Sequence, residues 1–100
     1  MTANIADTLQ ERGQRYGKFT GHARIAQDLK RVILVNLPGG RTRANGKSGP
    51  HLAPDQQEAL DMICHKIGRI INGDPDYADS WHDIAGYAQL VANRLNGIEQ

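Results

Sequence analysis

The sequence contains little cysteine, no long apolar run and almost no net charge, and each shortage excludes a class of protein. Its one cysteine, Cys64, has no second thiol to pair with, which excludes a disulfide framework and indicates a buried residue in a reducing cytoplasm. No apolar run approaches the ~20 residues of a membrane-spanning helix, and the first residues lack the basic and apolar regions of a secretion signal. We therefore expect a cytoplasmic protein that does not enter the membrane.

The charges nearly balance. Twelve basic and 11 acidic residues leave a net charge of +1, which is too small for a protein that coats nucleic acid in general. A length of 100 residues allows a single domain that spans residues 1–100. Because a chain of this length buries only about two thirds of its unfolded surface, we expect a small core and a homo-oligomer.

Apolar spacing and end signals predict an all-α fold of four helices, packed as a hairpin or bundle. The predicted helices cover about residues 5–16, 20–37, 54–72 and 80–95. Thr20 and Ser80 are the expected N-caps of the second and fourth helices, because a hydroxyl oxygen can accept from a free backbone N–H. Trp81 begins the apolar stripe of the fourth helix, which predicts that it lies in the core. The apolar run 32–35 also fits a buried strand, but no partner strand is visible.

A basic loop separates the second and third predicted helices. Residues 38–53 contain four glycines, two prolines and basic residues that include Arg41 and Arg43, but no acidic residue. A long flexible loop of this composition either closes over phosphate or is a solvated linker. The segment is not a P-loop, because five residues separate Gly40 from Gly46 and the motif needs four.

Two pairs of side chains have the spacing of metal ligands. Asp61 and His65 lie four residues apart on the third predicted helix, and Asp79 and Asp83 have the same spacing near the start of the fourth. Carboxylate oxygens are ligands that magnesium or manganese prefers. The alternative is structural, because acidic residues stabilise a helix start without a metal, and a histidine between helices can simply be hydrogen bonded.

Several side chains have the chemistry of nucleotide recognition. Lys66 and Arg69 on the third predicted helix can reach a phosphate, or can form structural ion pairs with the aspartates of the fourth. Further positive charge for an anion site would come from Lys18, Arg41 and Arg43. Tyr87 and Tyr16 lie off the apolar stripes and are candidates for stacking on a base.

Three segments carry a family resemblance: residues 11–17, residues 58–75 and residues 80–88. In these segments the chain resembles a family of small proteins of tailed phages and prophages. The run Asp-Ile-Ala-Gly-Tyr-Ala at 83–88 is also similar to the last metal-binding helix of MazG-like all-α nucleoside triphosphate pyrophosphohydrolases and of phage nucleotide-modification-associated domains. This second resemblance implies an oligomeric four-helix fold that binds a nucleotide, with magnesium held by carboxylates of two helices.

The magnesium ligands of that family are only partly present. Asp83 matches the terminal acidic ligand, but Ser80 stands three residues earlier, where the family has an acid. The acidic cluster of the preceding helix is reduced to Glu58 and Asp61, with His65 below them. Because a pyrophosphohydrolase surrounds its metal with several carboxylates to activate water, their loss favours binding without turnover.

Three hypotheses follow from these features. The first is a phage-encoded protein in the host cytosol that sequesters a linear or cyclic nucleotide, such as a host immune signal, and is not an enzyme. The second is a divergent magnesium-dependent pyrophosphohydrolase whose metal ligands are Asp61, His65, Asp79 and Asp83. The third is a helical adaptor that inhibits a host protein through an apolar surface.

Overall fold

The computed structural model describes residues 4–38 and 51–98, and these residues form four α-helices and no strand. The helices are α1 (Ile5–Tyr16), α2 (Phe19–Asn36), α3 (Pro54–Asn72) and α4 (Ala78–Leu95). The all-α prediction with four helices is confirmed. Most of the predicted basic loop, including Arg41 and Arg43, lies outside the described residues. None of the helices described is long and apolar enough to cross a membrane.

The predicted start of α2 is wrong by one residue, because a tertiary contact determines where the helix begins. α1 ends at Gly17, whose φ of 74° is a left-handed conformation that glycine adopts without strain. The side-chain amide of Asn72, at the end of α3, donates 2.8 Å hydrogen bonds to the carbonyl oxygens of Tyr16 and Lys18. These bonds hold the turn, so α2 begins directly after Lys18 and Thr20 lies within its first turn.

The predicted cap of α4 is also wrong. α4 begins at Ala78, so Ser80 lies inside the helix, where its side chain is buried instead of capping the N-terminus. The turn before α4 is held instead by the indole N–H of Trp81, which donates to the carbonyl oxygen of Pro75 at 2.8 Å.

α3 is the central helix of a layer of three. Gly68 of α3 packs against His22 of α2. Lys66, two residues earlier and so about 200° away around the helix, contacts Asp83 of α4. Within the described ranges α2 and α4 do not contact each other, and α1 packs on α2 and α3 and bonds through Arg15 to Tyr77 in the turn before α4. One chain therefore forms an open layer, with α1 laid across one end, and not a closed bundle.

The core of this layer is small, as the chain length predicts. Its buried apolar side chains are Ala26, Ala59, Cys64 and Ile70, and no large side chain in the described part of the chain is fully buried. The prediction that Trp81 lies in the core is wrong for a single chain, because Trp81 is 54% exposed. The reason is that α4 packs against α3 alone, so its remaining apolar residues have no helix to pack on.

We expect Gly68→Ala to destabilise the protein by about 1–3 kcal/mol, because an added methyl group overpacks the contact between α2 and α3. A Cβ at Gly68 would lie 2.7 Å from Cδ2 of His22 and 2.9 Å from its carbonyl oxygen. Gly86→Ala is the matched control. No atom lies within 4 Å of a Cβ there, so the higher helix propensity of alanine should stabilise by up to about 1 kcal/mol. Urea unfolding followed by circular dichroism measures both, and equal shifts would contradict the close packing at Gly68.

Candidate functional site

Two ion pairs join α3 to α4, and one of them is formed by the predicted site residues Lys66 and Asp83. Lys66 Nζ lies 3.0 Å from Asp83 Oδ2, with the lysine side chain 11% exposed and the aspartate 49% exposed. At the other end of the hairpin, Arg94 donates to both carboxylate oxygens of Asp55, at 2.9 and 2.6 Å. The Arg94 hydrogen bonds hold the pKa of the Asp55 carboxyl below its usual value. Lys66 and Asp83 thus adopt the structural pairing that the sequence left open.

The four predicted metal ligands are not brought together. Asp83 pairs with Lys66, Asp79 accepts a 3.0 Å hydrogen bond from the Tyr77 hydroxyl, and Asp61 accepts from an amide one turn earlier on α3. Over residues 4–38 and 51–98 the structure contains no group of three histidine, cysteine, aspartate or glutamate side chains placed to hold a metal ion. The described part of one chain therefore contains no assembled magnesium site.

A basic cleft lies where α1 crosses α2 and α3. Its polar lining consists of Arg12, Tyr16, His22, His65 and Arg69, with Leu9 and Phe19 at its apolar side, and its volume is about 140 Å³. Each of the three helices contributes at least one polar side chain, and none of the lining residues is acidic. The first turn of α2, which begins at Phe19, has no acidic residue and no side-chain cap. The free N–H groups at this helix start add to the positive potential of the cleft.

Arg69 is the least satisfied polar side chain of the cleft. Its guanidinium carbon lies 4.2 Å from the centre of the Tyr16 ring, so the cation stacks on an aromatic face and not against a carboxylate. Its Nε is buried and, within the described chain, has no hydrogen-bond partner. A buried donor without a partner costs about 1–3 kcal/mol. The guanidinium group of Arg69 lines the cleft and can donate charge-assisted hydrogen bonds to an anion there.

Two histidines form the floor of the basic cleft. The rings of His22 and His65 lie 4.4 Å apart, edge to face, and Nε2 of His22 donates to the carbonyl oxygen of His65 at 3.0 Å. Burial, followed by the charge of Arg69, lowers the pKa of His65 to about 4. Burial also lowers the pKa of His22, against the opposing effect of its hydrogen bond. At neutral pH the positive charge of the cleft therefore comes from its arginines.

Comparison with known proteins assigns the chain to a family without assigning it an activity. Residues 3–95 match a family described as "Domain of unknown function (DUF6378)". The chain belongs to the DUF6378 family. No curated protein and no solved structure matches it. The basic cleft of the DUF6378 chain lies entirely within the matched residues.

The structure groups some of the predicted ligand-binding residues of the DUF6378 chain and separates others. Arg69 and Tyr16 lie together in the basic cleft, whereas Tyr87 lines a groove between α3 and α4 that contains Asp55 and Glu58. Lys18 is exposed and does not line the cleft. Arg41 and Arg43 lie outside the described residues.

Two residues of the cleft, Arg12 and His22, were not among the site residues predicted from the sequence. The four-residue spacing of Arg12 and Tyr16 places them on one face of α1 and is the signal that could have identified the arginine. For His22 the sequence contains no comparable signal, because its neighbours in the cleft come from other helices.

Replacing Asp83 and replacing Lys66 should lower the stability of the protein by different amounts. We expect Asp83→Asn to cost about 1–2 kcal/mol, because it leaves a buried ammonium group without its carboxylate. We expect Lys66→Met to cost less, since an apolar side chain of similar length fills the same space without a charge to solvate. Denaturant unfolding of both variants measures the difference. A larger loss of stability in Lys66→Met than in Asp83→Asn would contradict this expectation. It would mean that the ammonium group makes stabilising contacts in addition to its pairing with Asp83.

Stability should fall as the pH drops from about 6.5 to about 4. His65 has a folded pKa of about 4 against 6.5 for a free histidine, so in this range the unfolded DUF6378 chain binds more protons than the folded one. The contribution of neutral His65 is therefore complete above pH 6.5 and is lost towards pH 4. Thermal unfolding across this range, with His65→Gln as the comparison, measures it. An acid sensitivity equal in the two proteins would contradict the assignment to His65.

Proposed function

We propose that the protein binds a nucleotide, linear or cyclic, through its phosphates in the basic cleft and holds it without hydrolysis. A phage-encoded protein that sequesters a nucleotide-derived immune signal of its host would act in this way. The observation that carries the proposal is Arg69, a cation of the cleft that, among residues 4–38 and 51–98, has no carboxylate partner and no acceptor for its buried Nε. The resemblance of residues 83–88 to the last metal-binding helix of MazG-like nucleoside triphosphate pyrophosphohydrolases supports the ligand class.

The dimensions of the cleft indicate which part of the ligand it holds. Its volume of about 140 Å³ is below the ~300–1,000 Å³ of pockets that enclose a whole small molecule. We place a phosphate group in the part of the cleft that Arg12 and Arg69 line, near the start of α2, which has no side-chain cap. The base would lie over the rim, where Phe19 is 75% exposed and Leu9 is also exposed. One face of the Tyr16 ring is already covered by Arg69, so its role is to position that guanidinium.

Binding without turnover is supported by the positions of the acidic residues. Hydrolysis of a diphosphate needs carboxylates that hold magnesium beside the bound phosphates. The lining of the basic cleft contains none, and Asp79 and Asp83 are engaged on α4 by Tyr77 and Lys66. The hydrolase alternative would use one of the two grooves that Tyr87 lines, which contain Asp83 in one case and Glu58 in the other.

We expect Arg69→Gln and Arg12→Gln each to weaken nucleotide binding by about 10–100-fold, the effect of losing one charge-assisted hydrogen bond of about 1.5–3 kcal/mol. Calorimetric titration with nucleoside triphosphates and with cyclic di- and trinucleotides, with and without magnesium, measures the affinity. Mass spectrometry of the same samples tests whether the ligand stays intact. Arg24→Gln, an exposed arginine of α2 outside the cleft, removes the same charge and should leave binding nearly unchanged.

The outcomes separate the three hypotheses. Magnesium-dependent conversion of the ligand would replace sequestration by hydrolysis. Equal affinity in the arginine variants and the wild type would contradict the basic cleft as the binding site. If no nucleotide binds at all, the nucleotide function is wrong and the adaptor hypothesis becomes the better explanation.

A further inference from the structure

α4 carries an apolar stripe that no other helix covers. Its residues are Trp81, Ala85, Ala88, Ala92 and Leu95, at successive spacings of four, three, four and three, which is the heptad spacing of helices that pair along their length. All five are exposed, Trp81 by 54% and Leu95 by 59%. The stripe therefore has the pattern of a helix–helix contact but no partner helix in the described chain.

The apolar surface continues from α4 onto α3. Leu60 and Ile63 line a groove of about 330 Å³ together with Ala88 and Val91 of α4. Ile67 and Ile71 repeat the same helical face of α3, and Ile71 is 67% exposed. Because a stable domain packs two layers around its core, this face of the open layer needs a second layer.

We propose that the second layer is another copy of this chain, packed by an antiparallel pairing of the two α4 helices around a two-fold axis at Ala88. The two large residues of the stripe are placed symmetrically about Ala88, since Trp81 and Leu95 each lie seven residues away from it, and the alanines at 85 and 92 lie three and four residues to either side. An antiparallel pair centred there places each Trp81 against the Leu95 of the other copy, and the alanines meet near the axis. Large side chains thus pack on large ones at the ends, and small residues let the helices approach closely at the centre.

The residues beside the stripe and the size of the apolar face are both compatible with a second copy of the chain. The heptad positions that flank the stripe on its outer side are occupied by His82, Gln89 and Asn96. None of these is a lysine, arginine, aspartate or glutamate, so two copies meet there without a repeated contact between such charges. Eighteen residues make α4 about 27 Å long, and two adjacent helices are about 20 Å wide. A face of these dimensions covers about 540 Å² per partner, which exceeds the threshold of about 1,000 Å² in total that separates a specific interface from a chance contact. The two hairpins would then form a four-helix bundle.

The first experiment measures molar mass by light scattering after gel filtration. We expect the wild type to be a dimer or a multiple of a dimer, and Ala88→Glu to shift it to half that mass at the same concentration, because the two-fold axis brings the two carboxylates together. Leu90→Glu is the matched control, since Leu90 is 49% exposed on α4 but lies outside the stripe. Its mass should stay that of the wild type. A monomeric wild type, or an unchanged mass in Ala88→Glu, overturns the proposal.

The second experiment does not depend on whether a charged variant folds. Under mild oxidation, Trp81→Cys with Leu95→Cys in one chain should give a covalent dimer, because the two positions are about 21 Å apart within a helix and meet only between copies. Each single variant should stay uncrosslinked. The native Cys64 can remain, since burial raises the pKa of its thiol and keeps it in its unreactive form. A crosslink in Trp81→Cys alone, or none in the double variant, overturns the antiparallel arrangement.

Discussion

The contact between α2 and α3 determines the position of every other feature of the molecule. Because Gly68 has no side chain, α2 and α3 lie close together at this point. His22 therefore reaches α3 and donates from Nε2 to the carbonyl oxygen of His65. A histidine that donates to a carbonyl oxygen here fixes the rotation of α2 about its axis as well as its distance from α3. The floor of the basic cleft is formed by this contact, so the cleft and the most closely packed part of the core are one structure.

Two basic residues of α3, Lys66 and Arg69, lie in different surroundings. Lys66 lies on the side that faces α4 and is neutralised by Asp83. Arg69 lies three residues further along, on the side covered by α1, where it finds an aromatic ring and no carboxylate. The ion pair of Lys66 stabilises the α3–α4 hairpin. Arg69 instead adds positive potential beside the start of α2. Function is therefore inferred from the cation that the fold leaves without a counter-ion.

The helices were predictable from the sequence, whereas the way they are arranged was not. Apolar periodicity and the end signals at Gly17, Pro54 and Gly73 located α1 and α3 to the residue. The cap at Thr20 failed because a contact from a distant part of the chain, the amide of Asn72, holds the turn before α2. The cap at Ser80 failed because the indole N–H of Trp81 holds the turn before α4. Burial of Trp81 failed for a similar reason, since an apolar stripe shows that a helix needs a neighbour but does not identify it. The cleft could not be predicted as a unit, because its polar side chains come from three helices.

α1 buries none of its residues, all of which the structure describes, and its hydrogen bonds to the rest of the structure lie at its C-terminal end, at Arg15 and Tyr16. A helix bonded at one end is expected to open locally from its other end while the α2–α3–α4 layer stays folded. Because Arg12 and Tyr16 are on α1, the cleft is complete only in the docked fraction of molecules, and the apparent affinity of any ligand there is reduced by that fraction. An anion that bridges Arg12 and Arg69 would in turn favour the docked state, so occupancy of the cleft would be visible as slower amide exchange along α1.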